Sequence, residues 1–386
     1  MHQSIGFFSI VDKEPFFMTA AFHEATEYLK EHGHFLVLSG KWGSGKTKTA
    51  EEVYRSVTGK SPTIITGLEK FDYEEQNHAL IFEEAIPRDL SNEELKKLQD
   101  KINTWFERVS VSETNPFIIF TSNDDRKPDF SKIIPVTSGT DLKVINLNNR
   151  LTIGDRTQIL KTHSTLLCPN KKSSEIEDLA LKGINKSLGY PEICALFCRC
   201  EHFQKTKSIF CSRPLRNLRS YLESMCNSEE NKFLILVYMS LNQMEMDVEN
   251  LNEMIFNELE TCKTNNRTQA EPLVGTIIDI LRHGNDEDIQ SLMSWEFVNK
   301  VPNSNKYRLQ HDVIKRMTLI VFGTFHFNKL LELTKREDLK GWIEKSSFIN
   351  ELRIMQRSYD DIMPLLFIKG KKWKQYEQKI GIEYNR

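Results

Sequence analysis

Residues 35–53 read FLVLSGKWGSGKTKTAEEV: an apolar run, three glycines closing on a Lys-Thr pair, then a helical pattern. Within this stretch GKWGSGKT, residues 40–47, fits G-x-x-x-x-G-K-[ST], with Gly40, Gly45, Lys46 and Thr47 at the fixed positions. Glycines let such a loop turn until successive backbone N–H groups face one point, and the following helix adds the positive end of its dipole. Gly43, Ser44 and Lys48 complete the expected phosphate-binding set. Lys46 is placed to reach the β- and γ-phosphates of a nucleotide, and Thr47 to hold Mg²⁺. A chance match in a strand–turn–helix is the alternative, and the buried strand before and helix after the loop speak against it.

The next strands refine the reading. After SPTIIT comes HALIFEEAIP, where four apolar residues, 79–82, end in Glu83 and Glu84. An acidic residue at the tip of a buried strand is what Mg²⁺ and a reacting phosphate need, so Glu83 and Glu84 are the candidate catalytic groups, with Glu83 beside Thr47 as a metal ligand. The helical pattern SNEELKKLQDKINTWFERV opens on Ser91 with Glu94 as its capping-box partner. PFIIFTSNDD then forms another buried strand that ends in Asn123, a polar group able to touch a γ-phosphate. LKVINL is a fifth strand. Short apolar runs alternating with helices predict an α/β P-loop NTPase domain over 1–148: a parallel sheet with helices on both faces and its ligand at the carboxyl ends of the strands.

Beyond residue 150 the pattern turns helical. LTIGDRTQILKTH starts a helix at Thr152 with Asp155 as reciprocal cap, and SLGYPEICALFCRC sets Gly189 and Pro191 before an apolar helix. A helical lid domain is expected over 149–225. Over 226–325, the order helix, strand, Pro-Asn-Ser-Asn turn, strand, helix is the plan of a winged helix. His311 and Asp312 stand where the second of those strands gives way to a helix, and a lone histidine there is ordinarily structural. A helical tail is expected over 326–386.

Composition narrows the partners. Across 386 residues the net charge is -2, so nothing draws the chain as a whole to nucleic acid. Residues 271–325 hold six Lys or Arg against seven Asp or Glu, which leaves no phosphate-tracking surface on the winged helix. The longest apolar runs fall well short of the ~20 residues of a membrane span, and no signal peptide is recognisable. A cytoplasmic protein with reduced thiols is expected, without membrane or nucleic-acid partners. Cys194, Cys198, Cys200 and Cys211 crowd together, but their spacing lacks a zinc knuckle, and buried packing is the expected role.

The order GKWGSGKT, LIFEEA, FIIFTSN, GYP and QHD resembles the STAND NTPases, signal-transducing ATPases with numerous domains related to NB-ARC modules. LTIGDRTQILKTH, LGYPEICALF and YRLQHDVIKR are most similar to the third class of novel STAND NTPases, and the resemblance spans roughly residues 15–335. It implies that ATP or ADP with Mg²⁺ is the ligand, that Pro191 packs near the adenine, and that His311 contacts the β-phosphate of ADP. It further implies a switch that is closed with ADP and self-associates with ATP, serving innate immunity or cell-death signalling through protein partners. Glu83 stands where that group has Asp, and Asn123 where it often has Arg, so hydrolysis is expected to be slow. A non-hydrolysing nucleotide-binding scaffold, an AAA+ type DNA-linked ATPase and a small-molecule kinase are the rival classes. With about 39 residues before Gly40 and no repeat period after 335, the chain reads as a bare switch core or a fragment of a longer protein.

Overall fold

The computed structural model describes residues 16–31, 33–71, 79–83, 86, 90–109, 116–123, 129–134, 142–167, 188–260, 262, 273–284 and 286–333. They fall into two compact units: 16–198 with Gln204–Ser212, and Arg199–Phe203 with 213–333.

The first unit is built on five strands, β1 (Phe35–Gly40), β2 (Ile64–Ile65), β3 (Ala79–Glu83), β4 (Phe117–Asn123) and β5 (Leu142–Asn146). All pair in parallel in the order β2-β3-β4-β1-β5. Side chains alternate between the two faces of such a sheet, so each strand feeds two cores. Phe35, Val37, Leu80, Phe82, Ile118 and Phe120 pack with Leu98, Ile102 and Trp105 of helix α3 (Asn92–Val109). The intervening residues Leu36, Leu38, Ala79, Ile81, Phe117 and Ile119 pack instead with α1 (Ala20–Lys30) and α2 (Lys46–Thr58). Both faces are thereby covered by helices, as the apolar runs of these strands require.

Two helix starts are fixed by reciprocal caps. At α3 the Ser91 N–H donates to the Glu94 carboxylate at 2.9 Å and the Glu94 N–H returns to the Ser91 hydroxyl at 3.3 Å. At α4 (Ile153–Leu167) the Thr152 N–H donates to Asp155 at 2.9 Å, and the Asp155 N–H donates to the Thr152 hydroxyl at 3.0 Å. Thr152→Ala is expected to cost about 1 kcal/mol by leaving that donor uncapped. A lowered urea midpoint checks it, and an unmoved midpoint would mean the cap contributes nothing. A further helix, α5 (Tyr190–Arg199), carries Pro191 as its second residue, where a missing N–H is harmless.

In the second unit, α6 (Pro214–Ser228), α7 (Glu230–Leu241) and α8 (Asp312–Phe325) pack on one another. Every residue of α7 from Phe233 to Leu241 is buried, which explains why its sequence is apolar all round. A three-stranded antiparallel sheet joins β6 (Glu245–Asp247), β8 (Lys306–Leu309) and β7 (Val298–Lys300), in that order. A helix at Asp286–Leu292, the β7–β8 hairpin and α8 follow one another as the sequence pattern predicts. β6, which ends at Asp247, well upstream of β7, was not part of that pattern. No helix among the described residues is long and apolar enough to cross a membrane. Residues 334–386, the bulk of the expected helical tail, lie outside the described residues.

Candidate functional site

Strand register brings the candidate residues to one edge of the first unit. Gly40 at the end of β1 pairs with Asn123 at the end of β4, and Glu83 at the end of β3 pairs with Thr121. Because β4 lies between β1 and β3, Asn123 sits between the glycine loop and the acidic strand end. That is the carboxyl edge, where parallel sheets of this kind bind ligands.

The loop itself is shaped for an anion. Gly43 and Gly45 adopt φ of 67° and 83°, a left-handed conformation that glycine enters without a Cβ penalty. Gly45 is the N-cap of α2 and supplies no side-chain hydrogen bond, and no acidic residue stands in the first turn. The positive end of α2 is therefore left to a ligand. Ser44 is buried, and its hydroxyl has no hydrogen-bond partner among the described residues. A phosphate oxygen fits that orphaned group.

Lys46, only 6% exposed, stretches its ammonium across the loop to the Lys41 carbonyl at 3.0 Å and the Asn123 amide oxygen at 2.8 Å. Next to it, the Thr47 hydroxyl donates to the Glu83 carboxylate at 2.6 Å. Thr47 and Glu83, paired by sequence reasoning as a Mg²⁺ site, thus meet in the fold. Both offer hard oxygen donors, the ligand type that Mg²⁺ takes. Lys48 points along α2 instead, with its ammonium 3.9 Å from Glu51 and 3.7 Å from Glu52. Glu84 lies outside the described residues.

Beside the loop opens a cleft. Ser44, Gly45 and Lys48 line it together with the apolar Phe16, Leu147, Leu151, Ile159 and Pro191 and the polar Thr162 and His163. A flat heteroaromatic base suits such a wall, and Pro191, singled out from the sequence, is part of it. Sequence reasoning missed Phe16, Leu147 and His163. The apolar side read from LTIGDRTQILKTH held Leu151, Ile159 and Leu160, and the first two of these line the cleft.

Pro191 reaches the cleft because the chain before α5 docks on the loop backbone. The Gly189 N–H donates to the Trp42 carbonyl at 2.6 Å, and the Glu192 N–H to the Gly43 carbonyl at 3.1 Å. His311 belongs to the second unit. There it is the N-cap of α8, its Nδ1 accepting from the Val313 N–H at 3.1 Å.

The crowded cysteines are core residues: Cys194, Cys198, Cys200 and Cys211 are all buried. Burial pushes the Cys194 thiol well up and the Cys200 thiol to about 11, so both stay protonated at neutral pH.

Comparison with known proteins adds a family. Among curated proteins none matches the chain. In solved structures, the chain is similar to the Holliday junction branch migration motor RuvB of Thermotoga maritima (11% identity, 77% of this chain and 92% of that one, TM-score 0.34). It is also similar to a signal transduction ATPase with numerous domains from Pyrococcus horikoshii that carries a tetratricopeptide repeat sensor (13% identity, 98% of this chain, 59% of that one, TM-score 0.37). Drosophila ORC bound to DNA matches at 12% identity over 82% of this chain and 95% of that one, with a TM-score of 0.30. Likenesses this distant carry no functional argument. The family comparison is specific: residues 16–166, which hold the sheet, the glycine loop, Glu83 and Asn123, match the Novel STAND NTPase 3 family, the class that the sequence motifs resemble.

Proposed function

We propose that the chain is an ATP/ADP-dependent signal-transduction switch that hydrolyses ATP slowly. The observation that carries this reading is the pair of contacts at the strand ends, Lys46 to Asn123 and Thr47 to Glu83, which joins the glycine loop to two neighbouring strands. The loop N–H groups and the N-terminus of α2 hold the phosphates, and Lys46 offsets negative charge that builds on the γ-phosphate. Asn123 orients the Lys46 ammonium from the far side. Thr47 and Glu83 would hold Mg²⁺, which would supply positive charge against the phosphates. The base packs against Pro191 in the apolar cleft.

Glu83 takes part in positioning the attacking water, and Asn123, neutral and buried, contributes no positive charge at the γ-phosphate. Turnover is slow for that reason. The same neutral contact also favours a second reading, a scaffold that binds nucleotide without hydrolysing it. Phosphate release from ATP separates the two: none at all, with ADP affinity intact, selects the scaffold.

In the switch, residues 149–225 act as a lid and 226–325 as a winged helix, and His311 reads the β-phosphate of ADP in the closed form. ATP shifts the balance only through its different affinity for the two forms. The open form self-associates and engages signalling partners in the cytoplasm, in innate immune or cell-death type responses. Sedimentation velocity tests this: the wild-type chain should sediment as a monomer with ADP and as a larger species with a non-hydrolysable ATP analogue. Identical profiles would contradict switching.

A further inference from the structure

Two glycines, Gly43 and Gly189, allow close approach where residues 188–192 meet the phosphate loop. A Cβ built on Gly189 would lie 2.2 Å from the Ser44 nitrogen and 2.4 Å from the Gly43 carbonyl carbon. A Cβ on Gly43 would lie 2.3 Å from the Glu192 Cβ. Gly189 is not among the residues with positive φ, so the position demands glycine for space alone. The colliding atoms at Gly189 are backbone, which cannot swing aside as a side-chain end can.

Hydrogen bonds run through the same contact. Gly189 and Glu192 donate to the carbonyls of Trp42 and Gly43, which are consecutive residues of the loop. In a planar trans peptide the C=O and N–H point in opposite directions, so fixing a carbonyl aims the N–H of the next residue. Holding the Gly43 carbonyl therefore aims the Ser44 N–H, which donates to the Lys41 carbonyl at 3.2 Å. That carbonyl also accepts from the Lys46 ammonium at 3.0 Å. An unbroken run of contacts leads from Gly189 and Glu192 to the group that meets the phosphate.

We propose that residues 188–192 set the shape of the phosphate loop, with Gly189 as a positioning residue for Lys46 and the loop N–H groups. The proposal rests on the nucleotide-binding reading above. Phosphate binding and the docking of α5 are then one equilibrium: a ligand that tightens the loop tightens the Gly189 and Glu192 contacts, and a segment that undocks releases the phosphates. A plain packing contact would stabilise the unit without this coupling.

Hydrogen exchange resolved to single amides in the wild-type chain tests it. Saturating ADP should slow exchange about tenfold or more at Gly189 and Glu192 as well as at residues 44–47. Slowing at 44–47 with no change at Gly189 and Glu192 overturns the coupling while leaving nucleotide binding in place. No slowing at either stretch overturns nucleotide binding, and the coupling with it.

Gly189→Ala gives an independent reading. ADP affinity should fall about 30-fold because the added methyl displaces the Gly43–Ser44 peptide. Adenosine, which lacks phosphates, should lose no more than about threefold in an NMR titration. Gly154→Ala, whose Cβ would meet only the Thr152 hydroxyl at an ordinary 3.6 Å, should leave both unchanged. Equal losses for ADP and adenosine would reduce the segment to a wall of the base cleft and overturn the proposal. Should the alanine variant fail to fold, the exchange pattern of the wild type decides.

Discussion

Replacing Lys46 with alanine is expected to abolish the rise in melting temperature that ADP gives the wild-type chain. A ligand present at a hundredfold excess over its Kd stabilises by about 2.7 kcal/mol, which for a domain of this size raises Tm by about 5–10 °C. The side chain that Lys46→Ala removes is buried and hydrogen-bonded on two sides, to Lys41 and Asn123, so its ammonium is held in place before any ligand arrives. Alanine leaves the loop backbone and the α2 dipole, and these alone hold a diphosphate weakly. The unliganded variant should melt near the wild type, because the lost donor served two acceptors that water can reach once the long side chain is gone. Full ADP stabilisation in Lys46→Ala would remove the phosphate-loop assignment.

Glu83→Gln is expected to lower ATP turnover by about 100-fold while ATP still binds. Glutamine is isosteric with glutamate, and its amide oxygen can keep accepting from the Thr47 hydroxyl that now lies 2.6 Å from the carboxylate. The charge is what disappears, and with it the power to hold Mg²⁺ firmly and to draw a proton from water. Binding depends more on the loop and the base cleft, which the change leaves alone. Turnover at the wild-type rate would take Glu83 out of the chemistry.

The parts of the site legible in the sequence were those encoded locally. The glycine loop, its strand and its helix are contiguous, and the Ser91 and Thr152 caps are read from residues three apart. Glu83 and Asn123 stood out because each follows an unbroken apolar run, the mark of a strand buried on both faces. That Asn123 meets Lys46 and Glu83 meets Thr47 depended on strand order, and β4 between β1 and β3 is a non-local fact that no local pattern states. The docking of Gly189 on Trp42 and Ser44 joins residues nearly 150 positions apart; Gly-x-Pro before a helix was its only trace. Phe16, Leu147 and His163 left none, since residues that wall a cleft obey the same periodicities as residues of a core. His311 stood out locally as a histidine at a strand-to-helix junction, where it forms the N-cap of α8; its part in holding ADP was implied by the family resemblance alone.

If this loop holds a nucleotide, the chain as purified should carry one or take one up. Denatured protein is removed and the supernatant is run on anion-exchange chromatography. ADP close to one per chain is expected, or uptake of ATP with Mg²⁺ to that level by a chain purified empty. An empty site that also fails to take up ATP with Mg²⁺ would contradict it.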